Sequence, residues 1–144
     1  MRDTTLETQL RLLTLQVESW KKLHDFVTYA LDKAKPIVST DQERQFTEVR
    51  ATLLQESEYV FTELNLVSEL SGKAMTVLQR ATSLRRVRDL GGEETRRLEA
   101  DWNFVFTKLG VLQGQLKARR RELLGRSFLA HTLTGVFGRK ALAR

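Results

Sequence analysis

Apolar residues recur along this chain at alternating steps of three and four. In the first segment, Thr4 to Lys35, the positions are Leu6, Leu10, Leu13, Val17, Trp20, His24, Val27, Leu31 and Ala34, and of these only His24 is not apolar. A period near 3.5 residues is that of a helix with a coiled-coil-like seam. Leu12, Leu15, Leu23, Phe26 and Tyr29 widen the apolar surface, so this helix is expected to meet more than one neighbour. Thr4 and Glu7 have the spacing of a capping box, and Pro36 ends the helix.

The second segment repeats the capping-box spacing at Thr40 and Glu43. Its seam runs through Phe46, Val49, Leu53, Val60, Val67, Leu70, Ala74, Val77, Ala81 and Leu84, with Glu56 and Glu63 interrupting. The phase is unchanged across Gly72, which predicts one long helix from Asp41 to Leu90, with a break at Gly72 as the alternative. Gly91-Gly92 is the clearest turn, and Glu93-Glu94 opens a third helix. Leu98, Trp102, Val105, Leu109, Leu112, Leu116, Arg119 and Leu123 form its seam. The same stepping continues through Arg126, Ala130, Leu133 and Phe137, carrying the helix past Gly125 toward Gly135 or Gly138.

These patterns predict an all-α fold, an antiparallel up-down-up bundle of long coiled-coil-like helices. A compact four-helix bundle broken at Gly72 is the alternative. The first helix is too short to cover the second, and is expected to lie beside Asp41–Gly72 and the C-terminal half of the third. Residues 73–110 would then project as a two-helix hairpin with Gly91-Gly92 at its tip. Val77, Leu84, Leu98, Trp102 and Val105 would each have one partner helix, and pairing two hairpins would cover them, so a dimer is expected. Residues 1–125 form the bundle in this reading, and residues 126–144 a basic amphipathic tail. Gly110 and Gly114 are expected to pack tightly inside the bundle.

Composition narrows the chemistry. The 144 residues include no cysteine, which excludes disulfides, thiolate zinc sites and cysteine nucleophiles. No apolar run reaches the roughly 20 residues that span a bilayer, and Met1-Arg2-Asp3 does not open a signal peptide. A cytoplasmic location, peripheral to a membrane if the tail binds one, is the expectation. Ser71-Gly72-Lys73 fails as a phosphate-binding loop, because Val67 stands where a glycine is needed and Ala74 where Ser or Thr is needed. His24 reads as an interhelical hydrogen-bonding residue, and Glu56 and Glu63 as solvated or paired with Arg119. No nucleophile, base and orienting group can be placed together, so no enzyme and no cofactor is expected.

The formal net charge of +6 is unevenly spread. Residues 41–72 carry two basic and seven acidic residues. Arg80, Arg85, Arg86, Arg88, Arg96 and Arg97 gather near the Gly91-Gly92 turn and are a candidate surface for an anionic partner. In the tail, Leu129, Leu133, Val136 and Phe137 make one helical stripe, with Phe128 outside it and Arg139 and Lys140 beyond it. That stripe is a candidate contact surface, unless it packs on the first helix as core. The expected function is a non-enzymatic helical scaffold or adaptor acting through helix-mediated protein association. A peripheral membrane protein using the tail is the first alternative, and a nucleic-acid binder using the arginine tip the second.

Overall fold

The structure, a computed structural model, describes residues 4–66 and 68–143, with the side chains of Thr4, Ser68, Ser127 and residues 130–143 outside the described set. It is all-α, with five helices and, among the described residues, no strand. They are α1 (Thr4–Leu31), α2 (Thr40–Glu63), α3 (Ser68–Arg80), α4 (Leu84–Arg88) and α5 (Gly92–Ala143).

The chain reverses more often than its hydrophobic phase suggests. The continuous helix expected from Asp41 to Leu90 is broken at Leu64–Leu66 and again at Ala81–Ser83. Gly72, the expected breakpoint of the alternative, lies inside α3. The first break is a Schellman motif. Asn65 takes φ 50°, the Leu66 N–H donates to the Phe61 carbonyl at 3.0 Å, and the Asn65 N–H to the Thr62 carbonyl at 3.1 Å. Asparagine is one of the few residues besides glycine that accept this left-handed conformation readily.

The second break is secured by two caps. Ser83 is the N-cap of α4 and accepts from the Arg86 N–H at 3.1 Å. The Glu43 carboxylate of α2 accepts from the backbone N–H groups of Leu84 at 3.1 Å and Arg85 at 2.7 Å. Glu43 is thus not the partner of Thr40 in a capping box. The box that starts α2 lies one residue earlier, between Ser39 and Gln42. The first box, at Thr4, involves a side chain outside the described set; Glu7 also lies near Arg120 of α5.

These breaks produce a ring of four antiparallel neighbours. Gln16 meets Ser57 and Phe26 meets Phe46, so α2 runs back along α1. Arg50 of α2 donates to the Leu78 carbonyl and Glu43 accepts from the Leu84 N–H, so the chain of α3 runs back along α2. Asp101 meets Lys73 and Arg80 of α3. His24 meets Glu99, and Thr14 meets Gln113, so α5 runs antiparallel to α1 and closes the ring. The short α4 packs across one end on α1 and α2. There Arg88 donates to the carbonyls of Lys35 and Pro36 at 2.7 and 2.9 Å and ties down the α1–α2 connection.

The core is continuous through all five helices and includes Leu13, Trp20, Phe46, Leu53, Leu78, Leu84, Val87 and Leu109. Val77, Leu84, Leu98 and Val105 are buried within the single chain and Trp102 is half-buried. No two-helix hairpin projects, and the reason given for pairing two of them is gone. The first helix packs on the α5 stretch from Glu99 to Arg120 rather than on its C-terminal half. Gly110 and Gly114 are exposed, with nothing within 4 Å of where a Cβ would stand, so they do not serve close helix packing.

Gly72 lies in the same open situation on the outer face of α3. Alanine there removes the entropic penalty of a mid-helix glycine without a clash. Gly72→Ala should raise unfolding free energy in urea by about 0.5–1 kcal/mol. A loss of stability would place a chain reversal at Gly72.

Candidate interaction surfaces

One turn of α5 joins α1 to α3. Successive helical residues point about 100° apart, so Glu99, Asp101 and Trp102 can address two different neighbours. Glu99 Oε2 accepts from His24 Nε2 at 3.3 Å. The Trp102 indole N–H donates to the Trp20 carbonyl at 3.1 Å. The His24 ring stacks on Trp102 with centroids 3.7 Å apart, and Trp102 stacks on Phe106 at 4.7 Å. His24 is an interhelical residue, and the space beside it is only about 10 Å³, too small for a ligand. On the other side Asp101 Oδ1 accepts from Lys73 at 3.2 Å and Oδ2 from Arg80 at 3.1 Å. The Asp101 side chain is only 13% exposed.

The six arginines proposed as an anionic-partner surface are divided by the fold. Arg80 is half-buried and bound to Asp101. Arg88 is spent on the α1–α2 connection, and Arg97 pairs with Glu93 at 2.7 Å. Arg85, Arg86 and Arg96 are exposed and make no ion pair among the described residues. Asp89, Glu93 and Glu94 are exposed in the same stretch of chain. The cluster is therefore half structural and electrostatically mixed.

A groove of about 550 Å³ lies between α1 and the start of α2. Phe26, Tyr29 and Val49 line it together with Lys22, Asp25 and Glu48. Sequence reading treated Phe26 and Tyr29 only as extra apolar cover. Their shared face with Val49 appears once α2 folds back along α1.

The fourth surface is α5 itself. It has 52 residues, about 78 Å at 1.5 Å per residue, whereas the 28 residues of α1 reach about 42 Å. Arg120 lies 3.8 Å from Glu7 near the start of α1 and marks where α5 leaves the bundle. Residues 121–143 continue as helix for roughly 35 Å more. On this arm Leu124, Phe128 and Leu129 are 50%, 70% and 59% exposed. Phe128 and Leu129 are thus not core against α1. Leu124 was not singled out in the sequence, because it sits beside the seam residue Leu123. Arg119, expected on the seam, is exposed, and its neighbour Arg120 faces α1 instead. Leu133, Val136, Phe137, Arg139 and Lys140 have side chains outside the described set.

Charge density changes at the same boundary. Residues 121–144 contain five basic residues and one acidic, net +4, while residues 1–120 contain 19 basic and 17 acidic, net +2. The one arm carboxylate, Glu122, is paired with Arg126. Among the described residues no helix is long and apolar enough to cross a membrane, and no group of His, Asp or Glu is placed to hold a metal ion. Comparison with family models, curated proteins and solved structures finds no match for this chain.

Replacing Asp101 tests the junction. Asp101→Ala leaves Arg80 half-buried without its carboxylate and should cost about 1–3 kcal/mol in urea unfolding. A change within about 0.5 kcal/mol, the scatter of ordinary surface substitutions, would show that α3 does not depend on this contact.

Proposed function

We propose that the protein is a non-enzymatic helical adaptor acting by helix-mediated association. The compact body serves to hold α5 out as a binding arm. The observation that carries this reading is the run of exposed Leu124, Phe128 and Leu129 beyond the last helix that could cover them. Large apolar side chains left together on a surface favour association, because burying each releases about 1.5–3 kcal/mol. An adaptor also needs a second surface. The Phe26–Tyr29–Val49 groove supplies one on the body, separate from the arm. A protein partner would bury the apolar side chains of the groove.

The arm variant Phe128→Asp/Leu129→Asp tests the reading, since neither side chain is part of the core. In cell extracts the tagged 144-residue chain should sediment in an assembly larger than its own 16.6 kDa. The variant should sediment as the free chain with an unchanged melting temperature. Identical sedimentation of the two proteins would remove the arm as the association surface. A collapsed melting temperature would show that the arm is part of the fold.

A further inference from the structure

The charge and the exposed side chains of the arm together specify what covers it. We infer that the arm, residues 121–143, docks on an anionic lipid surface, with Phe128 and Leu129 entering the interface and the basic residues facing the headgroups. This rests on the reading of α5 as the binding arm and names its partner.

A helix that lies in a lipid interface needs exposed apolar side chains, basic residues and little acidic charge. The arm has exposed Leu124, Phe128 and Leu129. It has exposed Arg121 and Arg126, with exposed Arg119 just before it, and its one acidic side chain, Glu122, is paired with Arg126. In sequence, residues 127–138 contain no charged residue and are followed by Arg139 and Lys140, so apolar and basic segments alternate along the arm. The arm carries net +4 on 24 residues against net +2 on the other 120, so attraction to a negative surface is strongest there.

The same charge argues against other occupants. Two arms at net +4 repel, and the one acidic side chain of each is already paired with Arg126. A nucleic acid would satisfy the arginines but would leave three large apolar side chains in water.

Purified full-length protein, floated with vesicles of phosphatidylcholine alone or of three parts phosphatidylcholine to one part phosphatidylserine, decides the matter. The protein should rise with the anionic vesicles and stay behind with the neutral ones. Phe128→Asp/Leu129→Asp and Arg119→Ala/Arg121→Ala/Arg126→Ala should each weaken partition by about tenfold or more. Arg85→Ala/Arg86→Ala, at the opposite end of the body, should match the parent chain. Circular dichroism melts of all variants keep folding separate from binding.

Three outcomes would overturn the inference. They are no flotation with anionic vesicles, flotation weakened only by the Arg85/Arg86 variant, and binding to an oligonucleotide through the arm with no binding to vesicles. If vesicles fail while sedimentation in extracts still depends on Phe128 and Leu129, the lipid inference falls and the binding arm stands. If both fail, both readings fall.

Discussion

The Glu99–Trp102 turn of α5 is the contact on which the rest of the arrangement depends. From one side Glu99 and Trp102 hold α1 through His24 and the Trp20 carbonyl. From the other Asp101 gathers Lys73 and Arg80 of α3. Without this turn, α1 would keep Thr14–Gln113 and Glu7–Arg120 as polar ties to α5, and α3 would lose the Asp101 bonds. The contacts differ in character. The stack of His24, Trp102 and Phe106 excludes water over a large aromatic area. The Asp101 bonds are directional and fix the register of α3 on α5. Polar groups within the core are satisfied in the same spirit. Buried Gln16 accepts from the Trp20 indole at 3.1 Å and from the Ser57 hydroxyl at 3.4 Å.

Closing the ring near the start of α5 has a geometric consequence. Because α1 is little more than half the length of α5 and starts near Glu7–Arg120, the bundle runs out while α5 continues. The projecting element is therefore the far end of α5, not the Gly91-Gly92 hairpin. Basic charge concentrates on that free length, where no core has to accommodate it. The near-neutral body and the basic arm thus differ in what they can attract as well as in how they are built.

Much of the fold is legible in the sequence, because heptad stepping reports helices directly. It reports the chain reversals poorly. The seam of the second segment stays in phase across Leu64–Leu66 and Ala81–Ser83, although the helix ends at both. Phase survives because each side of a break still needs one face toward a common core. The signals that mark the breaks are single residues. Asn65 can enter the left-handed region, and Ser83 can cap the next helix. Gly72 drew attention as a glycine, yet helical hydrogen bonding continues through it. Of the candidate surfaces, Leu129 could be recognised from spacing, and Phe128 only as a large apolar residue beside the stripe. The division of the arginines could not, because Asp101, Lys35 and Pro36 reach Arg80 and Arg88 only through tertiary folding.

The measurement that bears most directly on this architecture is amide hydrogen exchange along the intact chain. Segments that open only with the whole fold exchange at the slowest common rate, whereas peripheral elements exchange faster. Amides of α3 around Val77 and of α5 from Leu98 to Leu109 should be as slow, within about tenfold, as those of α1 around Trp20. Those of residues 121–126 should exchange far faster, because an unsupported helix is marginal in water. Rapid exchange throughout residues 73–110, with slow exchange confined to α1 and α2, would contradict the closed four-helix ring and restore a projecting hairpin.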